Sequence, residues 1–102
     1  MNIVHVITSL DPGRGGPPQV VIGLAAAQTK LKHQVSIVST GQSLSKILKA
    51  DVVHLHGVWE PIVFKASRIA LKNNLPYLLT PHGMLDPQYS LNQKVLIKKL
   101  FL

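Results

Sequence analysis

The chain has 102 residues, enough for one small domain with a thin stability margin, since a domain of this size buries only about 60–65% of its unfolded surface. Hydrophobic residues make up 46% and charged residues 15%, the profile of a buried α/β core and not of a disordered chain. The absence of cysteine excludes disulfides and thiolate metal sites, while the net charge of +7 points to an anionic partner.

The opening stretch, residues 2–8, is an apolar, β-rich run with no basic region before it, so it reads as a strand and not as a signal peptide. Ser9 to Pro18 holds three glycines and three prolines and reads as a loop. Val20, Leu24, Ala27 and Leu31 then recur at the spacing of one helix face, with Pro17 and Pro18 suited to its first turn. The longest apolar run, Val20 to Ala27, falls well short of the ~18–20 residues of a membrane span. Residues 35–40 form a second strand, broken by Gly41, and Leu44, Ile47 and Leu48 fit a short helix.

Residues 51–56 form a third strand, ended by Gly57. Residues 60–74 form a helix with Ile62, Ala66 and Ile69 inward and Lys65, Arg68 and Lys72 on the opposite side, and Asn73-Asn74 stops it. Residues 76–80 are a fourth strand, followed by a loop from Pro81 to Pro87 and a last helix to the C-terminus. Strands alternating with helices predict a parallel, Rossmann-like α/β sheet covered on both faces. Right-handed crossovers favour the strand order 2-1-3-4, with Val4, Val6, Ile37, Val53, Leu55 and Leu78 in the core. Ligands of such sheets bind beyond the carboxyl ends of the strands, where the loops 9–16, 57–59 and 81–86 meet.

Three motifs fall on those loops. Gly13-Arg14-Gly15-Gly16 lies between a strand and a helix, where backbone N–H groups and the helix dipole can hold an anion. It is neither a dinucleotide fingerprint, which would need glycine in place of Pro18, nor a P-loop; a plain flexible turn is the competing reading. His54 and His56 share one strand face, but no third metal ligand is evident beside them, and one packed histidine and one at the strand end are the expected outcome. His82, next to Gly83, stands on a loop where a neutral imidazole can both donate and accept a hydrogen bond.

Taken together and in this order, the motifs resemble the family 4 glycosyltransferases, which have the two-domain GT-B fold. Gly15-Gly16-Pro17 after the first strand, residues 50–61 around His54-Leu55-His56-Gly57-Val58-Trp59-Glu60, and residues 75–87 with Thr80-Pro81-His82-Gly83 carry the likeness over nearly the whole chain. The resemblance implies hexosyl transfer, with retention, from a nucleotide-sugar to a polysaccharide or lipid-linked acceptor, without cofactor or metal. It implies that Gly15 and Gly16 lie near the donor phosphates and the acceptor. His56, Gly57, Trp59, Glu60 and Gly83 would line the donor and acceptor site, and His82 would act in catalysis. In the family, the donor is held mainly by a second domain.

Residues 1–102 are therefore expected to be an acceptor-side domain without its donor-binding partner and inactive alone. The link between strands two and three, about ten residues, is shorter than the family usually carries. A non-catalytic binding module with the same fold is the alternative. A cytoplasmic location is expected. The apolar last helix, with Lys94, Lys98 and Lys99, is expected to mediate self-association or a peripheral contact with the inner membrane face. Nucleic acid is not an expected partner, since the basic residues are scattered and not interleaved with aromatics.

Overall fold

A computed structural model describes residues 1–11, 16–57 and 60–81. The elements run β1 (Asn2–Ile7), α1 (Gly16–Lys30), β2 (Gln34–Val38), a 3-10 helix (Leu44–Lys49), β3 (Val52–His56), α2 (Pro61–Lys72) and β4 (Tyr77–Thr80). The four strands form one all-parallel sheet in the order β2-β1-β3-β4, flanked by helices. This is the Rossmann-like arrangement expected from the alternation of strands and helices. The chain leaves β1 toward β2 on one side and returns past it to β3 on the other, so the direction of winding reverses between β1 and β3.

The first strand sits at the centre and is buried from Ile3 to Ile7. Its pleat sends Val4 and Val6 to one face, where they meet Val53 and Leu55 of β3, Tyr77 of β4, and Ile62, Val63, Ala66 and Ala70 of α2. Ile47 and Ala50, around the 3-10 helix, complete this cluster. Each fully buried Val or Leu there contributes roughly 1.5–3 kcal/mol relative to exposure. The inward side of α2 matches its sequence periodicity, with Lys65, Arg68 and Lys72 in solvent. That helix starts at Pro61, whose missing N–H is no loss in a first turn. It ends with Asn74 in the left-handed region at φ 55°. Leu75 N–H then donates to the Ala70 carbonyl at 2.8 Å, satisfying a carbonyl of the last turn.

The opposite face carries Ile3, His5 and Ile7 of β1, and α1 lies over it, packed on β2 and β1. Two core expectations fail here. The buried side of α1 is Pro18, Val21 and Ala25, while Val20 is 52% and Leu31 is 71% exposed and Ala27 is also in solvent; only Leu24 is partly buried. The helix is apolar nearly all round, so its periodicity admits more than one inward face, and packing selects the one led by buried Pro18. Leu78 is 49% exposed, because it points to the α1 side of the sheet while α1 covers β1 and β2, not β4. Ile37 is half-buried on edge strand β2.

No helix among the described residues is long and apolar enough to cross a membrane. The predicted last helix, with Lys94, Lys98 and Lys99, lies outside the described residues.

Candidate functional site

The carboxyl ends of the strands form a crevice at the point where the winding reverses. Thr8 follows β1, Thr40, Gly41 and Gln42 follow β2, and Pro61, Ile62 and Lys65 open α2 after β3; together they line a space of about 320 Å³. The loops are tied to one another by backbone bonds. Thr40 N–H donates to the Thr8 carbonyl at 3.1 Å, and Gly57 N–H donates to the Thr80 carbonyl at 2.9 Å. Gln42 folds back so that its Oε1 accepts from Ser39 N–H at 2.9 Å. The Thr8 hydroxyl oxygen is buried and has no hydrogen-bond partner among the described residues.

Next to this crevice, Gly57 adopts φ +109°, a backbone region that side-chain-bearing residues rarely occupy. A Cβ there would sit 3.2 Å from Cδ and Oε2 of Glu60. Glycine therefore lets the Glu60 carboxylate lie against the loop backbone. Glu60 is the N-cap residue of α2, but its side chain makes no capping bond. The site thus holds one carboxylate, one lysine ammonium and several hydroxyl and amide groups, a set able to bind and orient a polyhydroxylated or anionic ligand.

A second cluster lies deeper, on the α1 side of the sheet. The β1–β3 register sets His5 directly opposite His54 and Ile7 opposite His56, so the alternation of side chains brings three imidazoles to one face. His5 is fully buried, His56 is 2% exposed and His54 is half-buried. The His54 and His56 rings stack at 4.0 Å between centroids. His5 Nδ1 lies 2.9 Å from His56 Nε2, and its Nε2 lies 2.7 Å from Gln28 Oε1. Gln28 Oε1 can only accept, so His5 carries its proton on Nε2, and its Nδ1 accepts from the N–H of His56. His54 Nε2 meets the Thr80 hydroxyl at 2.6 Å. Burial holds the His5 imidazole below its ordinary value, and the hydrogen bond to Gln28 offsets this only in part, so His5 is neutral around pH 7.

Of the residues singled out in the sequence, His56, Gly57 and Glu60 come together at the end of β3, and Gly16 begins α1. Gly15, Trp59, His82 and Gly83 lie outside the described residues. The structure corrects the reading that His54 and His56 have no third partner, since His5 stands beside them. Sequence reasoning also passed over Gln28, Thr8 and Lys65. The available signal was a histidine in the middle of the otherwise apolar run at residues 3–7, in step with the alternation of its neighbours. No protein-family model, no curated protein and no solved structure matches the chain.

Proposed function

We propose that this chain supplies the acceptor-side half of a glycosyltransferase of GT-B type, transferring a hexosyl group from a nucleotide-sugar to a polysaccharide or lipid-linked acceptor. The observation that carries this reading is the crevice at the winding reversal between β1 and β3, with Glu60 in the segment that leads from Gly57 into its Pro61 wall. Open α/β sheets bind their ligands at such a point. The sequence resemblance adds the chemistry: residues 50–61 and 75–87, which lead out of β3 and β4, resemble the family 4 loops.

On this reading the Glu60 carboxylate accepts a hydrogen bond from an acceptor hydroxyl, and the Lys65 ammonium orients the acceptor further along the crevice. The resemblance assigns His82 to the sugar being transferred, Gly83 to the same donor and acceptor site, Gly15 and Gly16 to the donor phosphates and the acceptor, and Trp59 to the acceptor side. The donor diphosphate is the largest charge to be stabilised as the bond to the sugar breaks. In the family that task falls mainly to a second domain, so these 102 residues alone bind acceptor without turning it over. The reaction takes place at the cytoplasmic face of the membrane when the acceptor is lipid-linked.

Amide NMR spectra of the chain, titrated with oligosaccharide and lipid-linked acceptors and separately with nucleotide-sugars, test this. Acceptors should shift Thr8, Gly57, Glu60 and Lys65, and no sugar should be transferred. An absence of shifts with every acceptor at millimolar concentration would defeat the proposal. Sugar transfer by the chain alone, abolished in His82→Ala, would defeat the division of labour. Salt-sensitive binding to random-sequence DNA, perturbing the same loops, would replace it with a nucleic-acid function.

A further inference from the structure

Only His56 of the three-imidazole cluster has a place in the glycosyltransferase reading, and the cluster is built in a way that a plain polar network does not require. Three histidines from two neighbouring strands each bring a ring nitrogen to within 4.8 Å of the other two. The geometry points to a divalent metal site of the zinc class, with His5, His54 and His56 as its ligands.

Three features carry this. First, the ligand atoms are already close. His5 Nδ1 and His56 Nε2 are 2.9 Å apart and share one proton. Zinc–nitrogen bonds of about 2.0–2.1 Å at a tetrahedral angle place two ligand nitrogens ~3.3 Å apart. Replacing that proton by a metal ion, with His56 carrying its proton on Nδ1 instead, therefore asks the two rings to separate by a few tenths of an ångström and each to tilt by roughly 35° so that both lone pairs meet at the ion. Second, the outer contact is in place. A ligating histidine normally donates its other ring N–H to a fixed acceptor, which sets the tautomer and aims the lone pair. Gln28 Oε1 does this for His5 at 2.7 Å, leaving Nδ1 as the donor atom. Third, the donor set is all imidazole, which suits zinc, copper, nickel or cobalt and disfavours magnesium or calcium. Among the described residues no carboxylate belongs to the cluster.

Three protein ligands leave a tetrahedral ion one open position. The half-buried side of the cluster is formed by His54 and Thr80, whose hydroxyl lies 2.6 Å from His54 Nε2. To ligate, His54 exchanges that hydrogen bond for the metal or turns its Nδ1 inward, and the fourth position then takes water or a small anion from this side. The site shares no residue with the crevice that the glycosyltransferase reading uses except His56, at the end of β3, and neither reading depends on the other.

The test uses the chain without a polyhistidine tag, stripped with a chelator and dialysed. Zn²⁺ is titrated in competition with a chromogenic chelator, and Co²⁺ is followed by its visible absorption, which is intense when coordination is tetrahedral. One ion per chain should bind with a dissociation constant in the micromolar range or below, and the melting temperature should rise with Zn²⁺. His5→Ala opens the core and can fail to fold, so the half-buried ligand is changed instead. His54→Gln should weaken Zn²⁺ binding at least tenfold, and Gln28→Leu should weaken it about 10–100-fold through the lost outer contact. His33→Gln and His82→Gln should leave it unchanged. No saturable binding by the folded chain, undiminished binding in His54→Gln, or binding lost in His33→Gln or His82→Gln would each overturn the proposal.

Discussion

Gln28 is the one polar side chain of α1 that reaches the sheet to bond His5, and replacing it with leucine isolates a single interaction. In the wild type its Oε1 accepts from His5 Nε2 at 2.7 Å, and His5 has no exposed surface. Leucine is close in volume but cannot accept, so a buried N–H loses its partner. Leaving a buried donor unsatisfied costs about 1–3 kcal/mol. Two effects reduce that figure. Gln28 is only half-buried, so water can approach its end of the bond. His5 can also change tautomer, donating from Nδ1 to His56 and leaving only a lone pair unmet. A net loss of about 1–2 kcal/mol follows, read as a fall in melting temperature of roughly 4–16 °C for a domain of this size. The assay is thermal and urea unfolding of the metal-free chain, in a double-mutant cycle with His5→Leu. In the His5→Leu background the donor is gone, and Gln28→Leu should cost less than about 0.5 kcal/mol. An equal loss in both backgrounds, or a neutral Gln28→Leu, would refute the reasoning.

Core truncations separate the structure from the sequence expectation: Leu55→Ala should destabilise by about 2–5 kcal/mol, whereas Leu78→Ala, at a half-exposed position, should stay within about 0.5 kcal/mol by the same urea titrations. Gly57→Ala forces a side chain into a left-handed backbone at φ +109° and against Glu60, so a loss of about 1–3 kcal/mol is expected. A neutral result would mean that the loop after β3 can change its path. Burial pushes the Tyr77 hydroxyl above its ordinary value of 10.0. Folding therefore favours the neutral phenol: its contribution is fully present below pH 10.0 and is lost as pH rises through the shifted value. Unfolding followed above that pH should steepen with pH in the wild type, and Tyr77→Phe should lose that component.

The sheet was legible in the sequence because its signals are local. Each strand is a short, mostly apolar run followed by glycine, proline or a loop rich in both, and α2 alternates Ile62, Ala66 and Ile69 with three cations, which fixes its inward side. The face of α1 was not legible, because Val20, Val21, Ile22 and Leu24 offer apolar surface in several directions and the choice is made by the contact with β1 and β2. Leu78 misled for a related reason: alternation tells which residues share a face, not whether a helix covers that part of it. The histidine cluster needs the register between β1 and β3, which joins positions 49 residues apart and has no local marker. Gly57 and Glu60 were found as neighbours in sequence, whereas the crevice between Thr8, Gln42 and Lys65 depends on three separate crossovers.

The central place of β1 has a consequence for how the chain is made. Of the four strands this one is synthesised first, yet both its hydrogen-bonding edges belong to later segments: β2 at residues 34–38 and β3 at residues 52–56. At a synthesis rate of about 5–20 residues per second, Asn2–Ile7 remains without its second neighbour for roughly 3–10 s. During that time an apolar ribbon with at least one free edge is able to pair with another nascent chain. His5, solvated and polar until the sheet closes over it, is the only residue between Ile3 and Ile7 that interrupts the hydrophobic surface of that ribbon.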